Sequence, residues 1–431
     1  MNYKVLSLFS NVGFGEYYFN QLPLDVAVAN ELLQDRADFY NVLHPNTKMI
    51  QGDVTEDSIR SKIVSACASL GPIDVVIATP PCQGMSLANA TKDSDDPRNT
   101  LIVHAMDIFN KVGAKYMLIE NVPNMPDTYI YHKDYGQIKI SDFIKKSLPA
   151  GAHVESEVLN GKHFGTAQER KRSITLISID SSEWIHPLEI ETLITLGDVI
   201  SDEDEFPSLD SGSSSIPWHF LSKQNPDHID WMKYTETAKT AYYNESDHYP
   251  CQIIENKAGS GSSITEYIKK TNGDKGWHTN PPTLIAPDGS KEVIKEPQEE
   301  TIDGKNLIVV EIPEGYKLKR EIYGFTTAYK RMDWKKPAPT VTMTNGSISS
   351  QNNVHPGNPL NDGSFSDARV LSIREVLAVC GLPISMLDIF CEEAKPDVKY
   401  KYTRDGLGYK YHPSFIRKIL GEMFLPNMAL N

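Results

Sequence analysis

No Cys-x-x-Cys pair occurs in the 431 residues, and the five cysteines, Cys67, Cys82, Cys251, Cys380 and Cys391, are an odd count. A zinc ribbon is excluded by that spacing, and a disulfide framework is not expected, so the chain reads as a protein of a reducing cytoplasm. Long apolar runs are also missing. Stretches such as Val75 to Ala78 and Val376 to Cys380 fall far short of a membrane span. The segment Met1 to Phe9 has the pattern of a first core strand, without the apolar stretch of a signal peptide, and no membrane partner is expected. Positive charge is in deficit as well, with 43 Lys and Arg against 57 Asp and Glu, a net −14. No G-x-G-x-x-G is present. Against these absences, 40% of residues are hydrophobic, ample for a sizeable core, and the length suggests two or three domains.

A global deficit of positive charge speaks against a nucleic-acid partner, but local charge decides where a phosphate backbone can sit. Basic residues outnumber acids in Lys317 to Lys336 and again in Lys395 to Lys418, whereas Ser201 to Asp210 carries acids and no base. That asymmetry permits a polyanion on one face. A solvated surface would show the same runs.

The first 180 residues alternate β-like runs with amphipathic stretches. Lys4 to Phe9, Asp25 to Ala29, Met49 to Gly52, Asp74 to Ala78, Tyr116 to Ile119 and Ser173 to Ile179 read as strands, and Glu56 to Ala68 and Thr100 to Val112 as helices. Such alternation predicts a mostly parallel sheet wrapped by helices, with ligands at the carboxyl ends of the strands. Beyond Ile179 the character changes. Ser/Gly-rich loops, prolines and short strands continue to about Gly324, after which helices are predicted from Ile373 to about Leu382 and from Pro413 to Met428.

Four strand ends carry chemistry. The strand before Thr79-Pro80-Pro81-Cys82 delivers a cysteine on a loop stiffened by two prolines, the setting of a nucleophile as much as of a buried structural thiol. Leu118-Ile119-Glu120-Asn121 places a carboxyl where desolvation can make it an acid. In Gln168-Glu169-Arg170-Lys171-Arg172, alternation puts Gln168, Arg170 and Arg172 on one face, suited to an anionic or carbonyl-bearing ligand. Phe9 to Gly15 forms a turn after the first strand, and the acids Glu31 and Asp53 follow the next two, a pattern that fits a nucleoside whose ribose needs acceptors.

Together these elements resemble the DNA (cytosine-5) methyltransferase family, through its Pro-Cys-Gln loop, Glu-Asn-Val motif and Gln-x-Arg-x-Arg motif. Lys336-Pro337-Ala338-Pro339-Thr340 and Arg369-Val370-Leu371-Ser372-Ile373-Arg374-Glu375 resemble later family segments. The resemblance implies S-adenosyl-L-methionine as cofactor and double-stranded DNA as substrate. Cys82 would attack carbon 6 of a flipped cytosine, Glu120 would hold or protonate ring nitrogen 3, Arg172 would contact the base oxygen, and Arg170 would support it. Phe9, Ser10, Asn11, Gly13, Glu31, Asp53, Val54, Pro80, Leu101 and Glu422 would line the cofactor. The chain departs from the family pattern at Ser7, where Asp is common, at Asn11 and Phe14, often Gly, at Thr79, usually Gly, and at Ala167, usually Pro. Glu422 stands in a segment that more often reads Gly-Asn.

The expected fold class is α/β, a Rossmann-like mixed sheet of the S-adenosylmethionine-dependent methyltransferase kind with helices on both faces, plus a smaller β-rich or irregular target recognition domain. The expected division is a catalytic and cofactor-binding domain over 1–184, the target recognition domain over 185–325, and a C-terminal part over 326–431 whose last helix returns to the catalytic domain. A restriction-modification setting follows from the resemblance, with a separately acting restriction endonuclease as partner and the enzyme a monomer. An RNA cytosine-5 methyltransferase is the competing enzyme; its relatives carry a shorter middle region. A catalytically silent DNA-binding regulator is the competing non-enzyme, and it would have no use for Cys82, Glu120 and Arg172 together.

Overall fold

The computed structural model describes residues 2–81, 97–179, 184–212, 214–220, 223–244, 248–269, 282–294, 298–322, 327–342, 345–350, 352–386, 402–404 and 407–409. Cys82, Glu422 and the helix expected from Pro413 lie outside the described residues. Ten strands occupy the N-terminal part: β1 Tyr3–Leu8, β2 Leu24–Glu31, β3 Lys48–Gln51, β4 Val75–Ala78, β5 Tyr116–Asn121, β6 Tyr129–His132, β7 Gly136–Lys139, β8 His153–Asn160, β9 Gln168–Glu169 and β10 Lys171–Ser178. Seven of them form one sheet in the order β3-β2-β1-β4-β5-β10-β8. The first five run parallel, and β10 runs antiparallel to both β5 and β8. The expected mixed sheet is therefore present, with β8 as a further edge strand. Its His-Val-Glu-Ser-Glu-Val sequence alternates charge with small apolar groups and gives no continuous hydrophobic run.

Helices α1 Gln34–Leu43, α2 Asp57–Leu70, α3 Leu101–Val112 and α4 Ile140–Lys146 connect the strands. Alternation along β1 explains how the sheet buries both faces. Leu6 and Leu8 join a core with Ile63, Phe109 and Phe143 from α2, α3 and α4, whereas Val5 points to the other face with Val26, Val75 and Ile77. Side chains of that kind are worth roughly 1.5–3 kcal/mol each when buried. Gly113, at φ 66, closes α3 in a left-handed conformation that suits glycine.

The β-rich part has its own core. Strands β11 Cys251–Glu255, β12 Ile264–Lys269, β13 Thr283–Ile285, β14 Lys291–Val293, β15 Gln298–Ile302, β16 Lys305–Ile312 and β17 Lys317–Glu321 make two small sheets. Ile268, Ile308, Val310, Ile312 and Leu318 pack between them. By contrast, Leu196, Ile200, Phe206 and Trp218 share a core with Val12, Phe14 and Phe39 and with Met332, Ile373 and Leu377. The outgoing and returning backbones cross within this core: Leu196 N–H donates to Lys336 O and Gly197 N–H to Trp334 O, both at 2.9 Å. Just beyond the crossing, β18 Ala338–Pro339 pairs in parallel with β9.

The basic stretch 317–336 is less available than its composition suggests. Arg331 and Lys319 are buried, and Lys317, Arg320 and Lys336 pair with Glu255, Glu266 and Asp333. Lys335 stays exposed. No helix among the described residues is long and apolar enough to cross a membrane.

Candidate active site

The reversal of β10 builds the site. In a parallel sheet the carboxyl ends of β1, β2, β3, β4 and β5 share one edge. A strand running the other way brings its start to that same edge. Ser173 pairs with Asn121 and Ile174 with Glu120, so the residues just before Ser173 stand beside the end of β5. Two motifs about fifty positions apart thus meet through strand direction alone. Arg172 Nε lies 2.9 Å from Glu120 Oε1.

Glu120 is fully buried, and its two oxygens accept no aligned hydrogen bond from the described residues; the Arg172 N–H lies close to Oε1 but off its axis. Burial raises its pKa to about 7 against the opposing charges of Arg172 and Arg170. The carboxyl therefore holds its proton to higher pH than an exposed glutamate does. Arg170 is buried and donates through Nη1 to Val341 O at 3.2 Å, while Val341 N–H donates to Gln168 Oε1 at 3.3 Å. The expected single face divides: Gln168 and Arg170 bond the segment after β18, and Arg172 turns to Glu120.

Asn121 links this group to Pro80, two residues before Cys82 in the sequence. Its Nδ2 donates to Pro80 O at 2.8 Å, and its own Oδ1 accepts from Val122 N–H. Pro80 is buried, and the adjacent Thr79 hydroxyl donates to Phe9 O at 3.0 Å. The two prolines thus leave the sheet tied on one side to the Glu-Asn motif and on the other to the turn after β1.

Along the same edge, that turn meets the acids. Glu31 ends β2 and uses both oxygens on backbone N–H groups, Asn11 at 3.0 Å and Leu33 at 2.9 Å. Burial raises its pKa, with those bonds and Arg36 opposing. Phe9 and Asn11 hold φ of 59 and 52, a region that side-chain-bearing residues seldom occupy and that clusters at functional sites. Asn11 Oδ1 is buried and has no hydrogen-bond partner among the described residues. Ser10 donates its N–H to Asn30 O, Asp53 is half-buried with Oδ1 on Thr55 N–H, Val54 is buried, and Leu101 opens α3 against the same core. Leu32, half exposed beside Glu31, adds apolar surface at this edge.

Four residues escape a reading of the sequence. Arg60 of α2 has the look of a surface cation, yet it is buried, donates to Val54 O at 2.6 Å and meets His104 Nδ1 at 3.1 Å, fixing the turn after Asp53. Glu16, Tyr40 and His44 underlie the Phe9–Gly13 turn. Only the pairing of α1 with that turn, a contact between distant positions, reveals them.

Comparisons with known proteins agree with this geometry. Residues 3–402 match the family model described as C-5 cytosine-specific DNA methylase. The chain is 32% identical over 431 residues to the Type II methyltransferase M1.HgaI of Avibacterium volantium, covering 99% of each. It is 27% identical over 235 residues to the Type II methyltransferase M.NgoPII of Neisseria gonorrhoeae, covering 54% of this chain and 63% of that one. Among solved structures, a DNA modification methyltransferase encoded within an E. coli prophage is similar in fold, with TM-score 0.50, 17% identity, and coverage of 99% and 96%.

Proposed function

Because the chain belongs to the C-5 cytosine-specific DNA methylase family, and so is a DNA (cytosine-5) methyltransferase, we propose that it transfers a methyl group from S-adenosyl-L-methionine to a cytosine flipped out of a specific duplex sequence. The observation that carries this reading is the buried Glu120 beside Arg172, tied through Asn121 to the carbonyl of Pro80, two residues before Cys82.

The strand-end residues suit the cofactor. Glu31 and Asp53 offer acceptors to ribose and adenine groups, the orphaned Asn11 Oδ1 can take a further hydrogen, and Phe9 and Leu32 offer apolar surface to a flat ring. When bound, S-adenosyl-L-methionine supplies an electrophilic methyl group. The protein's part is to make carbon 5 of cytosine nucleophilic. Cys82, as thiolate, adds to carbon 6, and Glu120 gives its proton to nitrogen 3, so the ring takes the electron pair without carrying a full charge. Arg172 meets the base oxygen and Arg170 supports it from the Val341 side. After transfer a base removes the carbon 5 proton, the double bond re-forms as Cys82 leaves as thiolate, and nitrogen 3 returns its proton to Glu120. Flipping the base costs a few kcal/mol.

We assign sequence choice to residues 185–325 and the returning C-terminal part to residues 326–431, with Glu422 near the cofactor. The likeness to two Type II methyltransferases supports a restriction-modification setting; we further take the enzyme to be a cytoplasmic monomer with a separately acting endonuclease. The test is a denaturant-resistant complex with duplex DNA carrying 5-fluorocytosine, formed in the presence of cofactor and lost in Cys82→Ala. Trapping that persists in Cys82→Ala overturns the nucleophile. Methylation of RNA in preference to duplex DNA overturns the substrate.

A further inference from the structure

The turn Phe9–Gly13 is held in a backbone shape that few sequences choose. Two side-chain-bearing residues in it, Phe9 and Asn11, have positive φ, and Gly13 follows at φ 81. Such a shape persists only where its surroundings over-determine it.

Below the turn, Glu16 receives two hydroxyl groups. Ser7, at the end of β1, donates to Oε1, and Tyr40, on α1, donates to Oε2. All three side chains are buried, at 5% exposure or less. One helical turn beyond Tyr40, His44 Nε2 lies 2.8 Å from Gly13 O and its ring packs on Tyr40 with centroids 4.6 Å apart. Because a carbonyl only accepts, His44 carries its proton on Nε2. The contact with Gly13 is so close that a Cβ there would lie 2.4 Å from His44 Nε2 and 2.8 Å from Tyr40 Cε2. The turn is therefore pressed onto one face of α1. Burial raises the Glu16 pKa, while His44 and the hydroxyls of Ser7 and Tyr40 oppose it.

We propose that Glu16 is a positioning residue for the cofactor: through Ser7 and Tyr40 it locks the Phe9–Gly13 turn against α1 in the one shape that presents Phe9 and Asn11 to S-adenosyl-L-methionine. Glu16 touches no reacting atom in this role. The inference rests on the reading that this strand edge holds the cofactor. It also accounts for two departures from the family pattern. Ser7, where Asp is common, leaves room for a carboxyl that arrives from position 16, and Asn11, often Gly, can keep its positive φ because the turn is held from below.

The test measures S-adenosyl-L-methionine binding by calorimetry, DNA binding without cofactor by anisotropy, and KM against kcat. Tyr40→Phe removes one hydroxyl and keeps the ring, and it should weaken cofactor binding about tenfold, as expected for a bond to a buried charged group. KM for the cofactor should rise by the same factor, with kcat at saturation and DNA affinity within about twofold. A merely structural loss would lower the active fraction and hence kcat. Glu16→Ala should weaken binding more than about tenfold, and Glu16→Gln, able to bond both hydroxyls, should recover to within about threefold of wild type. Tyr40→Phe added to Glu16→Ala should have almost no further effect, since both act through one node. Folded Tyr40→Phe and Glu16→Ala proteins that bind cofactor within about twofold of wild type overturn the proposal, as do fully additive effects. If wild-type protein binds no S-adenosyl-L-methionine, the reading of the strand edge has failed instead.

Discussion

Two buried carboxyls, Glu120 and Glu375, have arginine partners and opposite ionisation. Glu120, at the end of β5, is raised to about 7 by burial, which Arg172 and Arg170 only partly offset. Glu375 lies in the first turn of the helix α5 Ile373–Val379, and burial would raise it too; the charge and hydrogen bonds of Arg369 reverse the sign and hold it well below the usual carboxyl range. The difference is alignment. Glu375 accepts from Arg369 Nη1 at 2.7 Å, Arg369 Nη2 at 2.9 Å and Ser372 N–H at 2.6 Å. Glu120 accepts no aligned bond among the described residues although Arg172 is 2.9 Å away. A nearby arginine does not by itself ionise a buried acid; donors aimed at both oxygens do. One carboxyl is held ionised by the fold, and the other is raised towards its neutral form.

The largest expected effect falls on the active carboxyl. Glu120→Gln should slow single-turnover methyl transfer by roughly a hundred- to ten-thousand-fold, the usual range for a lost general acid. In wild type that rate should fall as pH rises through about 7, where Glu120 loses its proton, and the Gln variant should lose this dependence. A pH profile unchanged by the substitution would remove Glu120 from the proton transfer.

Glu375→Gln should leave the chemical step nearly intact and cost about 1–3 kcal/mol of stability, because Arg369 loses the carboxylate facing Nη1 and Nη2 while keeping Asp367 on Nε at 2.7 Å. Urea unfolding reads the loss as a lower midpoint at constant slope. The two acids also have opposite linkage. The depressed Glu375 contributes stability above the ordinary carboxyl range, lost as pH falls through its folded value. The raised Glu120 contributes stability fully present below about 4.5 and lost as pH rises through about 7. Each Gln variant should flatten its own limb of the stability curve.

Thr79→Val sharpens the comparison from the neutral side. It removes the hydroxyl on Phe9 O without touching either acid, and should weaken cofactor binding by about 1 kcal/mol, while Thr79→Ser should not. Calorimetry separates the two. Smallest of all, Lys335→Gln should lower the salt dependence of DNA binding by about one unit of slope and leave the methylated sequence unchanged. A changed sequence in bisulfite reads would place Lys335 at a base edge.

Much of the strand-end edge was legible because its signals are local. An apolar run ending in Pro80-Pro81, another ending in Glu120-Asn121, and acids after β2 and β3 each announce a strand and its last residue. What stayed hidden depends on pairing. The split between Gln168 and Arg172 comes from β18, 170 positions on, lying beside β9. Arg331 looks like a phosphate ligand in sequence, yet its guanidinium is buried and donates to the carbonyls of Met232, His355, Phe365 and Asp367. Glu16 shows no pattern at all, since its partners arrive from β1 and α1.

The crossing at Gly197 and Trp334 has a consequence for how such a chain can change. A Cβ on Gly197 would lie 3.2 Å from Trp334 O, so the outgoing and returning backbones touch where they pass. Ile200, Phe206 and Trp218 beyond this crossing still pack in the shared core. The part from β11 to β17, however, is a loop whose ends are joined where Cys251 pairs with Glu321, and lengthening such a loop costs only in proportion to the logarithm of its size, about 0.6 kcal/mol per doubling. Stretches within that part can be lengthened, shortened or exchanged while Ala338 still reaches β9 and Val341 still receives Arg170. The strand-end edge lies on the near side of that crossing, and length can change among β11 to β17 without disturbing it.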